Sequence, residues 1–155
     1  MEDLRLLGAP LVRIMLPLAE GEGPSAETVW AEPVSATTFS VRNVPTHAYD
    51  ISIDDTIEAS EGEDGRLTLD RVVARGGHST YRIVPARSTD TSAFLERWAA
   101  LERMGCTYES TTGETRYAVD VAPGADIHAV YALLEAGERD GVWEFEEGHC
   151  GHTVD

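Results

Sequence analysis

Lysine is absent. All twelve basic residues are arginine, set against 28 acidic ones, for a formal net charge of −16. Such a balance repels phosphate backbones and anionic headgroups, so neither nucleic acid nor membrane is expected among the partners. Cysteine is scarce too. Cys106 and Cys150 alone make no disulfide framework, and free thiols fit a reducing compartment, so a cytoplasmic location is expected. No apolar run approaches the roughly 18–20 residues that a membrane-spanning helix needs. The opening Met1–Arg5 lacks a basic stretch leading into an apolar one, so no secretion signal is expected. A Gly-rich phosphate loop, a nucleophile elbow and a metalloprotease helix are all missing. No cofactor is expected.

What is present is enough apolar residue, 42% of the chain, for a real core. Val12, Ile14, Leu16 and Leu18 alternate along one face of an expected strand. Short strand patterns follow at 28–31, 38–41, 51–53, 56–59 and 66–74, with an Asp-Gly hairpin turn at 61–65. Tight turns and no helical period over 11–75 predict a small curled antiparallel sheet, barrel-like in form. After Gly77 the pattern changes to strand, helix, strand, strand, helix, strand. Asp90 and Asp126 stand as helix caps, and the apolar stripes are Phe94, Leu95, Trp98, Leu101 and Ile127, Val130, Tyr131, Leu134. That order is the βαββαβ pattern of a ferredoxin-like lobe. The expected class is therefore α+β: a flexible arm over 1–10, a β lobe over 11–75, a ferredoxin-like lobe over 76–152 and a tail over 153–155.

Four segments, "ETVWAEPV", "NVPTHAYDISIDDTIEA", "RGGHSTYRIV" and "GVWEFEEGH", carry a resemblance to a bacterial family, domain of unknown function 4265. The likeness runs from about Val12 to about His152. It departs in "THAYDISIDD", where an aromatic and a Gly-Asp pair are expected. The resemblance implies a small stand-alone protein and brings no activity with it.

The stretch Gly76-Gly77-His78-Ser79-Thr80 is where a site is sought. In a ferredoxin-like sheet of order 4-1-3-2, the last strand runs against the strand beginning at Thr80. Glu147, His149, Cys150 and His152 should then approach His78 and Ser79 on one rim. As metal ligands these residues are spaced poorly, since His149 and Cys150 are chain neighbours that point in opposite directions, so no metal is expected. As a catalytic set, His78 could be a base for Ser79 or for Cys150 with Glu147 orienting it, but His78 and Ser79 project to opposite faces and Cys150 lies close to the chain end, where frayed backbone preorganises poorly. The preferred reading is a junction: two glycines permit positive φ, and the polar side chains satisfy backbone groups there. His47 and Tyr49 are further candidates, lining a cleft between the lobes or anchoring their loop. Trp30, Trp98 and Trp143 are expected in the core or between lobes, and Cys106 as inert packing. The function expected is a non-catalytic module that binds another protein, possibly a basic one, as toxin-neutralising and adaptor proteins do. The alternative is an enzyme or small-molecule-binding regulator using the His78/His149 rim.

Overall fold

The strands β1 (Val12–Pro17), β2 (Ala26–Pro33), β3 (Thr38–Val41), β4 (Thr56–Glu61) and β5 (Leu67–Ala74) form a closed barrel in chain order. The computed structural model describes residues 10–21, 23–110 and 115–154. The expected arm before residue 10, a turn that the sequence suggests at Gly113-Glu114 and the last residue of the tail lie outside the described residues. Alternation places Ile14 and Leu16 inside the barrel, with Val29, Ala31, Phe39, Val41 and Ile57 around them. The sheet is not wholly antiparallel, as the sequence reading had it. Its closing pair, β1 with β5, is parallel, through Met15 and Thr68.

Residues 51–53, expected as a strand, are loop. Asp50 and Asp54 bracket them at φ of 64° and 67°, a left-handed conformation that aspartate tolerates better than most residues and that breaks an extended run. Ile51 turns inward at 1% exposure and Ser52 at 0%, so the apolar pattern reflects burial without pairing.

The second half is a mixed α+β unit. β6 (Ser79–Pro85), β7 (Cys106–Ser110), β8 (Tyr117–Val121) and β9 (Trp143–His149) form one sheet in the order β7-β8-β6-β9, every neighbouring pair antiparallel. Two helices, α1 (Thr91–Arg103) and α2 (Ile127–Arg139), supply its apolar cover. Asp90 and Asp126 cap them as their sequence predicts, each accepting backbone N–H bonds from the first turn. The stripes are narrower than read: Leu95 and Tyr131 are 48% and 41% exposed. Trp98 and Trp143 are core residues, but Trp30 lies outside the barrel, exposed, with the Arg13 guanidinium over its ring. Cys106 is fully buried and burial pushes its thiol up to about 12, so it packs and does not react. Among the described residues, no helix is long and apolar enough to cross a membrane.

Candidate functional site

β6 carries different chemistry on its two faces. Ser79, Tyr81 and Ile83 share one face, and Tyr81 and Ile83 join the helix-side core. Thr80 and Arg82 share the other with His78, the residue just before the strand, and each of the three bonds a residue of the 44–55 loop that leaves the barrel. His78 Nε2 is 3.1 Å from Asp54 Oδ2. The Thr80 and Ser52 hydroxyls lie 2.6 Å apart. Arg82 Nη2 donates to the Ala48 carbonyl at 2.8 Å. The loop is fixed elsewhere by Glu27, whose carboxylate accepts from the N–H groups of Thr46, His47 and Ala48. His47 is thus held by its backbone as a loop anchor, and Tyr49 reaches over to donate its hydroxyl to Glu146 at 2.6 Å.

The chain end folds back beside residue 80 as expected, with Thr80 opposite His149 in the β6–β9 ladder. The side chains do not gather into one cluster. Alternation sends them to different faces, and three separate arrangements result.

In the first, the His78 ring spans two carboxylates, with Nδ1 2.8 Å from Asp120 Oδ1 and Nε2 facing Asp54. Asp54 is also paired with Arg42. Burial pushes the Asp120 carboxyl up, and its bond to His78 opposes that shift. In the second, Ser79, fully buried, lies 2.6 Å from His152 Nδ1 and accepts the Gly151 N–H at 2.9 Å. His152 Nε2 donates to the Ala122 carbonyl at 2.9 Å, which leaves Nδ1 to accept the serine proton. This is a serine–histidine pair without an opening to solvent at the serine: it fastens the chain end to β6. In the third, Glu147 accepts from the Tyr81 hydroxyl at 3.1 Å, and with Cys150 and His128 it borders a helix-side cavity of about 480 Å³. Cys150 Sγ lies 3.6 Å from the His152 carbonyl oxygen.

His149 stands apart. Its Nε2 is buried with no bonding partner, and burial, helped by Arg75, holds its basicity below the ordinary imidazole value of 6.5. Burial thus favours the neutral ring in the fold. A lowered folded value means stability that is complete above 6.5 and is lost as acid protonates the unfolded chain preferentially. His149→Gln should flatten the loss of unfolding free energy between about pH 7 and pH 5. Denaturant titrations at several pH values check this, and an unchanged slope would refute the role. Asp120 and Glu109, both raised by burial, act with the opposite sign and nearer the carboxylate range.

The two glycines of the junction have different reasons. Gly77 holds φ of +91°, as expected of a sharp bend. Gly76 does not: a Cβ there would sit 2.6 Å from the Asp54 carbonyl oxygen, so the need is for close approach. Gly151 is of the same kind, against the His78 carbonyl.

Sequence reading passed over the carboxylates that organise this region. Asp55, fully buried, accepts from Ser52 N–H, Gly76 N–H and Arg75. It also passed over Arg82, 1% exposed, with Glu146 and Arg116 beside it. The available signal was an arginine inside the strand pattern "STYRIV". Among the described residues, no three His, Cys, Asp or Glu side chains are placed to hold a metal ion.

The sequence profile of a domain of unknown function, DUF4265, matches residues 27–145, within the Val12–His152 span of the likeness above. No curated protein matches the chain significantly. Among solved structures, the chain is similar to one titled "Novel crystal structure of a hypothetical protein from Neisseria gonorrhoeae". The two are 17% identical with a TM-score of 0.78, over 94% of this chain and 99% of that one. At that identity the likeness speaks for the fold alone.

Proposed function

Because this chain belongs to the DUF4265 family, described as a domain of unknown function, we propose its role from its own chemistry: a non-catalytic protein that binds a basic protein surface. The observation that carries this reading is that two bases of the rim, His78 and His152, are spent internally, while the unbonded nitrogen of the third, His149, is buried. His78 is taken by Asp54 and Asp120, and His152 by Ser79 and the Ala122 carbonyl. A general base must reach the proton it removes, and the one serine beside an imidazole is shut away from substrate. The excess of carboxylates supplies the choice of partner, since a field of one sign speeds encounter with its opposite.

The same reading takes the second half as a ferredoxin-like lobe, on its 4-1-3-2 strand order, and the junction near Gly76 as the boundary between two lobes. It places the protein in the cytoplasm, where two free thiols are at home.

The test is affinity capture from the native host followed by kinetics with the purified partner. A basic protein should be recovered at equal stoichiometry, with an association rate that falls roughly tenfold or more as salt rises. Recovery of no stoichiometric partner at low salt and at high salt would overturn the proposal.

A further inference from the structure

On the barrel-facing side of the sheet, between β6, β8 and β9, lies a cavity of about 170 Å³ bordered by Arg82, Val84, Arg116, Glu144, Phe145 and Glu146. A cavity of roughly 150 Å³ holds benzene, so this one has room for about six heavy atoms. Its charges are unevenly met. Glu146 Oε1 accepts from Arg116 Nη1 at 3.0 Å and lies 3.3 Å from Arg82 Nε, and its Oε2 accepts from Tyr49. The Arg82–Glu146 contact is an ion pair without hydrogen-bond geometry, because Arg82 Nε and Nη1 both lack a bonded acceptor. One carboxylate therefore serves two guanidiniums; the Tyr49 ring, 5.0 Å from Arg82 Cζ, offers a face but no countercharge, so a formal positive charge is left over at the inner wall. A buried guanidinium is costly unless a counter-charge meets it. Glu144 stands opposite Val84 in the ladder, exposed, and gives the outer wall the other sign.

We propose that this cavity binds a small α-amino acid, its carboxylate on Arg116 with Arg82 behind it and its ammonium toward Glu144. Inner positive and outer negative charge suit a dipolar ligand. A simple carboxylate leaves Glu144 unmet, and phosphate brings a second negative charge toward it. Arg116 suits the carboxylate because its planar fork can bond both oxygens while keeping Nη1 on Glu146. Room for about six heavy atoms matches glycine and alanine, with Val84 bordering the side-chain end. The site goes beyond the protein-binding reading and stands or falls separately from it.

The experiment is an NMR titration of the full ¹⁵N-labelled chain at low ionic strength with glycine, alanine, acetate, methylamine and inorganic phosphate. Glycine and alanine should shift amides of 116–118 and 144–146, and bind at least about tenfold tighter than the other three. Arg116→Gln should weaken alanine about tenfold or more, and Glu144→Gln should erase its advantage over acetate. If Arg116→Gln does not fold, Arg116→Lys tests the same point, keeping charge without the fork, and should weaken alanine by a smaller factor. Acetate or phosphate binding as tightly as alanine would overturn the assignment. So would shifts outside the cavity, or none at tens of millimolar ligand.

Discussion

Asp55→Ala should lower the unfolding free energy by about 1–3 kcal/mol, measured by denaturant titration at neutral pH with the m-value unchanged. The magnitude follows from what the carboxylate holds. Oδ2 accepts from Ser52 N–H and from Arg75 Nη1, both at 2.9 Å, and Oδ1 accepts from Gly76 N–H at 3.0 Å. The Ser52 N–H is buried and costs roughly 1–3 kcal/mol when left without its acceptor, whereas Gly76 is exposed and its N–H can turn to water. The Arg75 bond adds little, because that side chain is 45% exposed and water can replace its partner. Asp55→Asn keeps one acceptor oxygen and should lose about half as much. A loss under about 1 kcal/mol for the alanine variant would mean that Asp55 does not hold the loop to the junction.

Trp143→Ala should cost about 3–5 kcal/mol, read in the same way. Trp143 is 2% exposed, donates its indole N–H to the Leu134 carbonyl at 3.0 Å and meets Phe94 edge-on at 6.0 Å. Its ring lies against Gly137, where a Cβ would come within 2.5 Å of the indole nitrogen. Helix and ring thus fit only because residue 137 has no side chain. Truncation removes the ring and its indole bond to α2, and opens a void between α2 and β9 that the close-packed core closes only in part. A cost below about 1.5 kcal/mol would show that the site collapses after all.

How far these features could be read from the sequence depends on the kind of signal each carries. Asp90 and Asp126 announce their helices because a cap acts within one turn, and local chemistry is written locally. Ile14 and Leu16 announce the barrel interior because period two fixes a face. Period two does not name a partner, however, so the parallel closure of β1 on β5 was beyond reach. Ile51-Ser52-Ile53 misled for a related reason: apolar side chains record burial, and here burial comes from a loop bent at two aspartates. Leu95 and Tyr131 fall on apolar stripes and Trp30 is large and apolar, yet all three are partly exposed, which is ordinary for such residues. At the rim, strand pairing was legible and the fate of the side chains was not. Whether His152 or His78 reaches Ser79 depends on angles that no spacing encodes.

The three bonds to the 44–55 loop from β6 and the residue before it, at 78, 80 and 82, come two positions apart and differ in character: imidazole to carboxylate, hydroxyl to hydroxyl, guanidinium to carbonyl. Slid along by a single position, the strand would offer Tyr81 and Ile83 to polar groups and leave every one of those groups unmatched. The contact behaves like a cut key. Greasy surfaces can settle against each other in many ways, whereas this one accepts a single alignment, so the barrel and the helix-backed sheet assemble in one orientation or not at all.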